Sequence, residues 1–408
     1  MNTMKNYAIS VAQEKEEYEE NIKCMAKVAI VVFGKQWRDY LKQEGVKEYL
    51  LNICKEYAFY DTEIIEVLEG IKNGLTFEQI NSYFKVGYSC VQMKYIRICL
   101  ENGMDLQKLK LDCELNGYDS EQLKQVAEGY KNGLINEQVM MYLNVNNTHD
   151  EMKEIRLCLE HGLTDEQVLH CASELYRGWV KQEIREGYEN GLTREQVAYY
   201  CNRTDCDIAI MDLIRKGLEK KWNKEKIELY ADPSLFYNQA KAIYEALDTT
   251  PYLHVKILVE RRLDVGQLEY LFKNYTNILD IEQLKVIADP ELSLEQMSQI
   301  GRGFLNGLSI EQVKAFAEPT VDTDCMYFAR KCYSKFYKPN QVELLVTSGL
   351  SSEVLEEMLK ETNPNIGLRK LERYIKHMIT KQNAKQMEVE GSKVSQSRMN
   401  AVIRFLKE

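Results

Sequence analysis

Two groups of side chains have spacings that could do chemistry. The first is Cys158, His161, His170 and Cys171. Two imidazoles and two thiolates form a donor set that zinc accepts in tetrahedral geometry. However, Cys158 falls in a column of small residues that also contains Cys99 and Cys332, and these have no histidine nearby in sequence. His170 and Cys171 are adjacent, and adjacent helical side chains diverge by about 100°. The reading is that no metal is held here, and Cys201/Cys206 offers less. Only five His occur, and HExxH, GxSxG, GxGxxG and phosphate-binding glycine loops are all missing from the sequence. Without an activated nucleophile or an isolated carboxylate pair, the chain reads as a non-enzyme with no cofactor.

The second group is an arginine column: Arg97, Arg156, Arg185, Arg215 and Arg330. Aligned as a ladder, these would make a track for phosphates or acidic side chains. The first four are each followed four residues later by a glutamate, Glu101, Glu160, Glu189 and Glu219, so helical i,i+4 pairing competes with that use. Arg330 is followed by Ser334 instead. Tyrosine is abundant, with 26 residues, and Tyr83, Tyr88, Tyr142, Tyr199, Tyr200 and Tyr230 fall at or just after the shorter helices. Tyrosine suits both a partner-contacting face and a half-buried core, and both readings stay open. These arginines and tyrosines are the candidate partner-binding residues.

The elements that must position them come from an internal repeat. Gly74-Leu75-Thr76-Phe77-Glu78-Gln79-Ile80 aligns with the segments starting at Gly133, Gly162, Gly191 and Gly307. Weaker copies start at Gly45, Gly103, Lys221, Thr250, Ile278 and Phe336, and successive starts differ by 28 to 30 residues. The reading is eleven units over about residues 45–362, each a short helix, a loop and a longer helix. In each opening motif the glycine ends one helix, and Thr193 with Gln196, or its equivalents, forms a capping box for the next. Counted back from each start, apolar residues recur at ten (Ile64, Met93, Leu123), seven (Val67, Ile96, Val126) and three (Ile71, Leu100, Tyr130), which is one helical stripe. Four back is small, as in Gly70, Cys99, Gly129, Cys158 and Gly187, which reads as close helix approach. Three loops carry Asp232-Pro233, Asp289-Pro290 or Glu318-Pro319, where proline can open the second helix. One hairpin cannot bury such a stripe alone but stacked hairpins can. The expected fold is therefore all-α, a right-handed α-solenoid of about eleven helix-turn-helix repeats with helical caps.

The caps bound three regions. Residues 1–44 read as an N-terminal cap, an acidic helix followed by a more apolar one. Residues 45–362 are the repeat array. Residues 363–408 hold ten Lys and Arg against four Asp and Glu, and read as a cap helix near Leu368–Ile379, a mobile stretch, and a basic amphipathic segment Gln396–Lys407. Over 408 residues the net charge is −10, with 45% hydrophobic and 28% charged residues, which excludes a disordered chain. An acidic body disfavours simple electrostatic capture of DNA or anionic lipid. The N-terminus has no apolar signal region, no stretch spans a bilayer, and eleven cysteines follow no paired framework. The expectation is a cytoplasmic protein with no membrane partner.

The Gly191–Val197 opening resembles the repeat start of transcription activator-like effectors and, more distantly, mitochondrial transcription termination factor repeats. Both families wrap nucleic acid, and that resemblance implies a modular nucleic-acid binder using the arginine ladder and basic tail. The fuller pattern, Tyr-Ala-Asp-Pro followed by a Met-x-x-Ile-Arg-x-Gly-Leu helix, is similar to tandem α-hairpin repeat proteins of Firmicutes and their mobile elements. The residues themselves favour an interaction scaffold or inhibitor: an acidic, tyrosine-lined concave face binding a basic protein, such as one that handles nucleic acid. Oligomeric state is not legible in the sequence.

Overall fold

Serine, threonine and aspartate open most of the helices. The computed structural model describes residues 2–57, 59–85, 87–105, 117–203 and 207–386, with side chains from residue 15 onward. Among these residues every regular element is helical and none is a strand. Val86, the short helix expected at 106–116, Thr204–Cys206 and the basic segment Gln396–Lys407 lie outside the described residues.

Twelve-residue helices recur, as in Asp61–Lys72, Cys90–Glu101, Ser120–Lys131, His149–Glu160, Gly178–Glu189, Ile208–Glu219, Leu294–Leu305 and Thr323–Ser334. Shorter helices such as Phe77–Tyr83, Asp165–Ala172, Arg194–Cys201 and Ile310–Lys314 stand between them. Capping boxes form as the sequence requires: the hydroxyls of Thr76, Thr164, Thr193 and Ser309 accept from the backbone N–H three residues on, and the glutamine there reaches back.

The chain divides into two units, 1–204 and 205–408. In the first, helix Asn2–Phe33 packs on Val46–Glu56 and Asp61–Lys72, and each long helix then packs on the next as far as Gly178–Glu189. In the second, Ile208–Glu219 packs on Tyr237–Thr249, followed in order by Val265–Asn274, Leu294–Leu305, Thr323–Ser334 and Ser352–Glu361. The three apolar columns are buried throughout, from Ile64, Val67 and Ile71 to Met297, Ile300 and Phe304. One cation interrupts them: Lys181, 1% exposed, stands in the column that holds Met152 and Met211.

The long helices are also tied together through their third residue. Gln122 donates from Nε2 to the carbonyls of Val145 and Asn147 (3.2 and 2.6 Å), 23 and 25 residues later. Gln267 bonds Pro290 and Leu292 in the same way, and Gln296 bonds Pro319 and Val321. Each glutamine thus caps its own helix with Oε1 and satisfies the next loop with Nε2.

Three expectations need correction. The N-terminal region is one continuous helix, Asn2–Phe33, followed by a 3-10 turn and Trp37–Leu41, rather than two helices. The helix near Leu368–Ile379 extends over 368–386, into the stretch read as mobile. Pro233, Pro290 and Pro319 lie in turns ahead of their helices, not in the first helical turn. There Asp232 and Asp289 accept from the backbone N–H two residues on, so the Asp-Pro pair builds a turn, and the Pro290 and Pro319 turns offer their carbonyls to the glutamines.

Candidate partner-binding surface

The arginine column belongs to the interior. Arg97 donates from Nε to Glu66 (2.7 Å) and from Nη1 to Glu101 (2.5 Å). Arg156 meets Gln125 (3.1 Å), Glu128 (2.8 Å) and Glu160 (2.6 Å). Arg185 meets Glu154 and Glu189, both at 2.8 Å. Arg215 meets Asp212 (2.8 Å) and Glu219 (2.7 Å). All four are buried. Glu66, Gln125 and Glu154 each lie 31 residues before their arginine, on the preceding long helix, so each guanidinium joins two helices as well as its own i+4 glutamate. Burial alone would lower the Arg97 and Arg185 guanidiniums, but the paired carboxylates outweigh it and hold both above the usual arginine range. Arg330 differs: it is half-buried and, among the described residues, donates only to Gln299 (2.5 Å).

The tyrosines divide as well. Tyr83, Tyr142, Tyr200 and Tyr230 are fully buried. Their hydroxyls donate to the carbonyls of Glu66, Gln125, Glu183 and Leu213, each 17 residues earlier (2.7–3.3 Å). Burial pushes the Tyr83 and Tyr142 phenols far above their ordinary range, so they remain donors. These hydroxyls also explain the small-residue column. A Cβ on Gly70, Gly129, Gly187 or Gly217 would overlap the hydroxyl of Tyr83, Tyr142, Tyr200 or Tyr230 respectively. The close approach is therefore between a long helix and the tyrosine of the short helix that follows it. Where the pair is Gly303 and Phe316, a Cβ would sit 3.2 Å from the ring. Where the small residue is Cys158, its partner shrinks to Cys171.

That pairing accounts for the first chemical group too. Cys158 and Cys171 are core residues in contact, and the hydrogen bond between them, together with burial, pushes the Cys158 thiol far up. His161 faces the other way, 2.7 Å from Glu189. His170 bonds the Tyr188 hydroxyl (2.5 Å), and burial lowers its pKa. Among the described residues no three His, Cys, Asp or Glu converge on a point where a metal ion would sit.

The accessible members of the candidate set are Tyr88, Tyr199 and Arg330, all half-buried. Tyr88 lines a small cavity of about 180 Å³ with Tyr57, Tyr60 and Phe84. Tyr199 carries the Arg203 guanidinium over its ring at 5.8 Å. Other exposed apolar side chains, which the sequence reading did not single out, lie at or near the entries to the long helices: Tyr60, Leu175 and Trp179 in the first unit, Phe236 in the second. The signal for them was large apolar residues in turns that vary between otherwise matched units. Phe336 is more telling. At the positions equivalent to Gly74, Gly133 and Gly191 it keeps a left-handed φ of 64° and is 85% exposed. A bulky side chain there is strained and gains nothing from burial.

No helix among the described residues is long and apolar enough to cross a membrane. Compared with models of known families and with curated proteins, the chain matches neither.

Proposed function

We propose that the chain is a right-handed α-solenoid scaffold of about eleven hairpins that binds a protein partner of basic surface, as an interaction platform or an inhibitor. The observation that carries this is the contrast between a satisfied framework and an unsatisfied edge. The regular columns are spent on internal bonds, whereas Tyr60, Leu175, Trp179 and Phe236 hold large apolar surface in water at or near the entries to the long helices. Exposed apolar groups rimmed by polar residues are the usual mark of a protein-binding surface. The net charge of −10 favours a basic partner through faster encounter and better discrimination. The nucleic-acid reading is weakened because Arg97, Arg156, Arg185 and Arg215 are buried against carboxylates, leaving the Lys/Arg-rich segment 363–408 as its instrument.

Affinity capture from the native host, followed by mass spectrometry, tests this reading. A basic protein should be recovered, its retention should fall as salt rises, and Leu175→Ser with Trp179→Ser should reduce it. Retention unchanged by both salt and that double variant would refute the reading. A gel shift with DNA or RNA at low salt would favour the alternative.

A further inference from the structure

At one place in the second unit the arginine column loses its counter-charges. Arg330 occupies the same register as Arg97, Arg156 and Arg185, but its neighbours differ in charge. The residue 31 earlier, Glu66 for Arg97 and Glu154 for Arg185, is Gln299, an amide like the Gln125 of Arg156. The residue four later, a glutamate after all four other members, is Ser334, which is exposed and bonds the Lys331 carbonyl (2.7 Å). The residue 28 earlier, Glu69 for Arg97 and Glu128 for Arg156, is Arg302, also exposed. Where sister sites surround one guanidinium with two or three acidic groups, this site has two guanidiniums, neither ion-paired to a carboxylate among the described residues; Glu356 pairs instead with Lys331 on the same Tyr327 ring.

The strain is visible in the bonding. Among the described residues the buried Nε of Arg330 has no hydrogen-bond partner. Burial, together with the Arg302 charge, pulls the Arg330 guanidinium below its usual range, opposite to Arg97 and Arg185. The half-exposed Tyr327 ring lies 5.3 Å from the guanidinium carbon. A half-buried guanidinium with an unpaired Nε and no counter-ion carries a desolvation cost, and a partner's anion would relieve it. The sister sites indicate which anion: Nη1 of Arg97, Arg156, Arg185 and Arg215 holds a carboxylate at 2.5–2.8 Å.

We propose that Arg330 and Arg302 form a receptor for one carboxylate, an aspartate or glutamate side chain of the partner protein, seated beside Tyr327. This rests on the protein-binding reading above and deepens it. A basic partner meets an acidic surface in many registers, and a single site of reversed sign that demands one acidic side chain selects among them.

The test uses full-length protein labelled with ¹⁵N-arginine, titrated at low ionic strength with the peptide acetyl-Ala-Glu-Ala-amide. Two guanidinium Nε–H resonances, assigned with Arg302→Lys and Arg330→Lys, should shift saturably, and acetyl-Ala-Gln-Ala-amide should leave them in place. Gln299→Glu with Ser334→Glu restores the carboxylates of the sister sites. It should weaken the peptide at least tenfold while the thermal midpoint stays equal or rises. Arg302→Gln, at an exposed position, serves as a second variant and should weaken it about as much. Unshifted resonances, equal binding in both variants, or saturation by inorganic phosphate but not by the peptide would overturn the proposal. The titration needs no partner. Silent resonances alongside a salt-sensitive partner refute the receptor alone, and shifts without any captured partner refute only the protein-binding reading.

Discussion

A methyl group at Gly129 is the smallest change that probes how the framework is built. Alanine there gains about 1 kcal/mol of helix propensity. Its Cβ would overlap the Tyr142 hydroxyl, which is locked on the Gln125 carbonyl. Overpacking should win, so Gly129→Ala should lose about 2 kcal/mol in urea unfolding. Adding Tyr142→Phe should recover most of it, since it removes the overlapping hydroxyl and leaves the nearest ring carbon 3.3 Å from the Cβ. Additive losses in that double-mutant cycle would disprove the coupling. Phe336 argues in the opposite direction. Phe336→Gly relieves a left-handed residue and should add about 1 kcal/mol of stability. If Phe336 contacts the partner, the same change should weaken capture. Lys181 supplies a pH signature. Burial lowers its pKa below 10.5, although Nζ donates to the carbonyls of Cys171 and Ser173, both at 2.8 Å. The unfolded chain therefore binds more protons than the folded one between the lowered value and 10.5, and stability from this group rises with pH across that window. Lys181→Met should flatten the rise of the melting midpoint in alkaline buffer. An identical pH slope in the variant would show that Lys181 contributes nothing to it.

Capping boxes that look alike do unequal work at the level of the helix. Gln312 opens a short helix, and its side chain bonds only Ser309 among the described residues. Gln296 opens a long helix and also holds the carbonyls of Pro319 and Val321. Gln312→Ala should cost about 1 kcal/mol and Gln296→Ala about 2–3 kcal/mol. Equal midpoints in chemical denaturation would show that the link to the following loop is worthless. What the sequence revealed follows the same division. Caps, apolar stripes and i+4 glutamates are local, and their residues lie where the periodicity put them. Bonds between helices were harder to see. The partner of Arg97 stands 31 residues away, and that of Tyr83 stands 17 away. A trace of them was present: a tyrosine follows Gly70, Gly129, Gly187 and Gly217 thirteen residues later, while Cys158 is followed by Cys171 at the same distance. The proline turns were misread because a proline near a helix start fits a turn and a first helical position equally well.

Across the whole chain, the bonds that recur join residues at most about one unit apart, as in Asn73 to Glu101, Asn132 to Glu160 and His161 to Glu189 at 28 residues, or the arginine pairs at 31. Stability in such a chain is close to a sum of units and their junctions. Damage should stay near its source. In hydrogen exchange, Gly129→Ala should hasten amide exchange in Ser120–Lys131 and its neighbours while leaving Thr323–Ser334 at its original protection. Uniform loss of protection along the chain would mean that folding is all-or-none.

The constant offset between an arginine and its acceptor also bears on ancestry. Excising residues 134–162 would set Arg185 at the distance from Gln125 now kept by Arg156, with Asn132 opposite Glu189 in place of Glu160. The arginine and Asn–Glu bonds would find ready substitutes, and only the Tyr142 hydroxyl on the Gln125 carbonyl would give way to Cys171. A gene of this kind can therefore grow or shrink by whole hairpins through unequal recombination while keeping most of its contacts between helices.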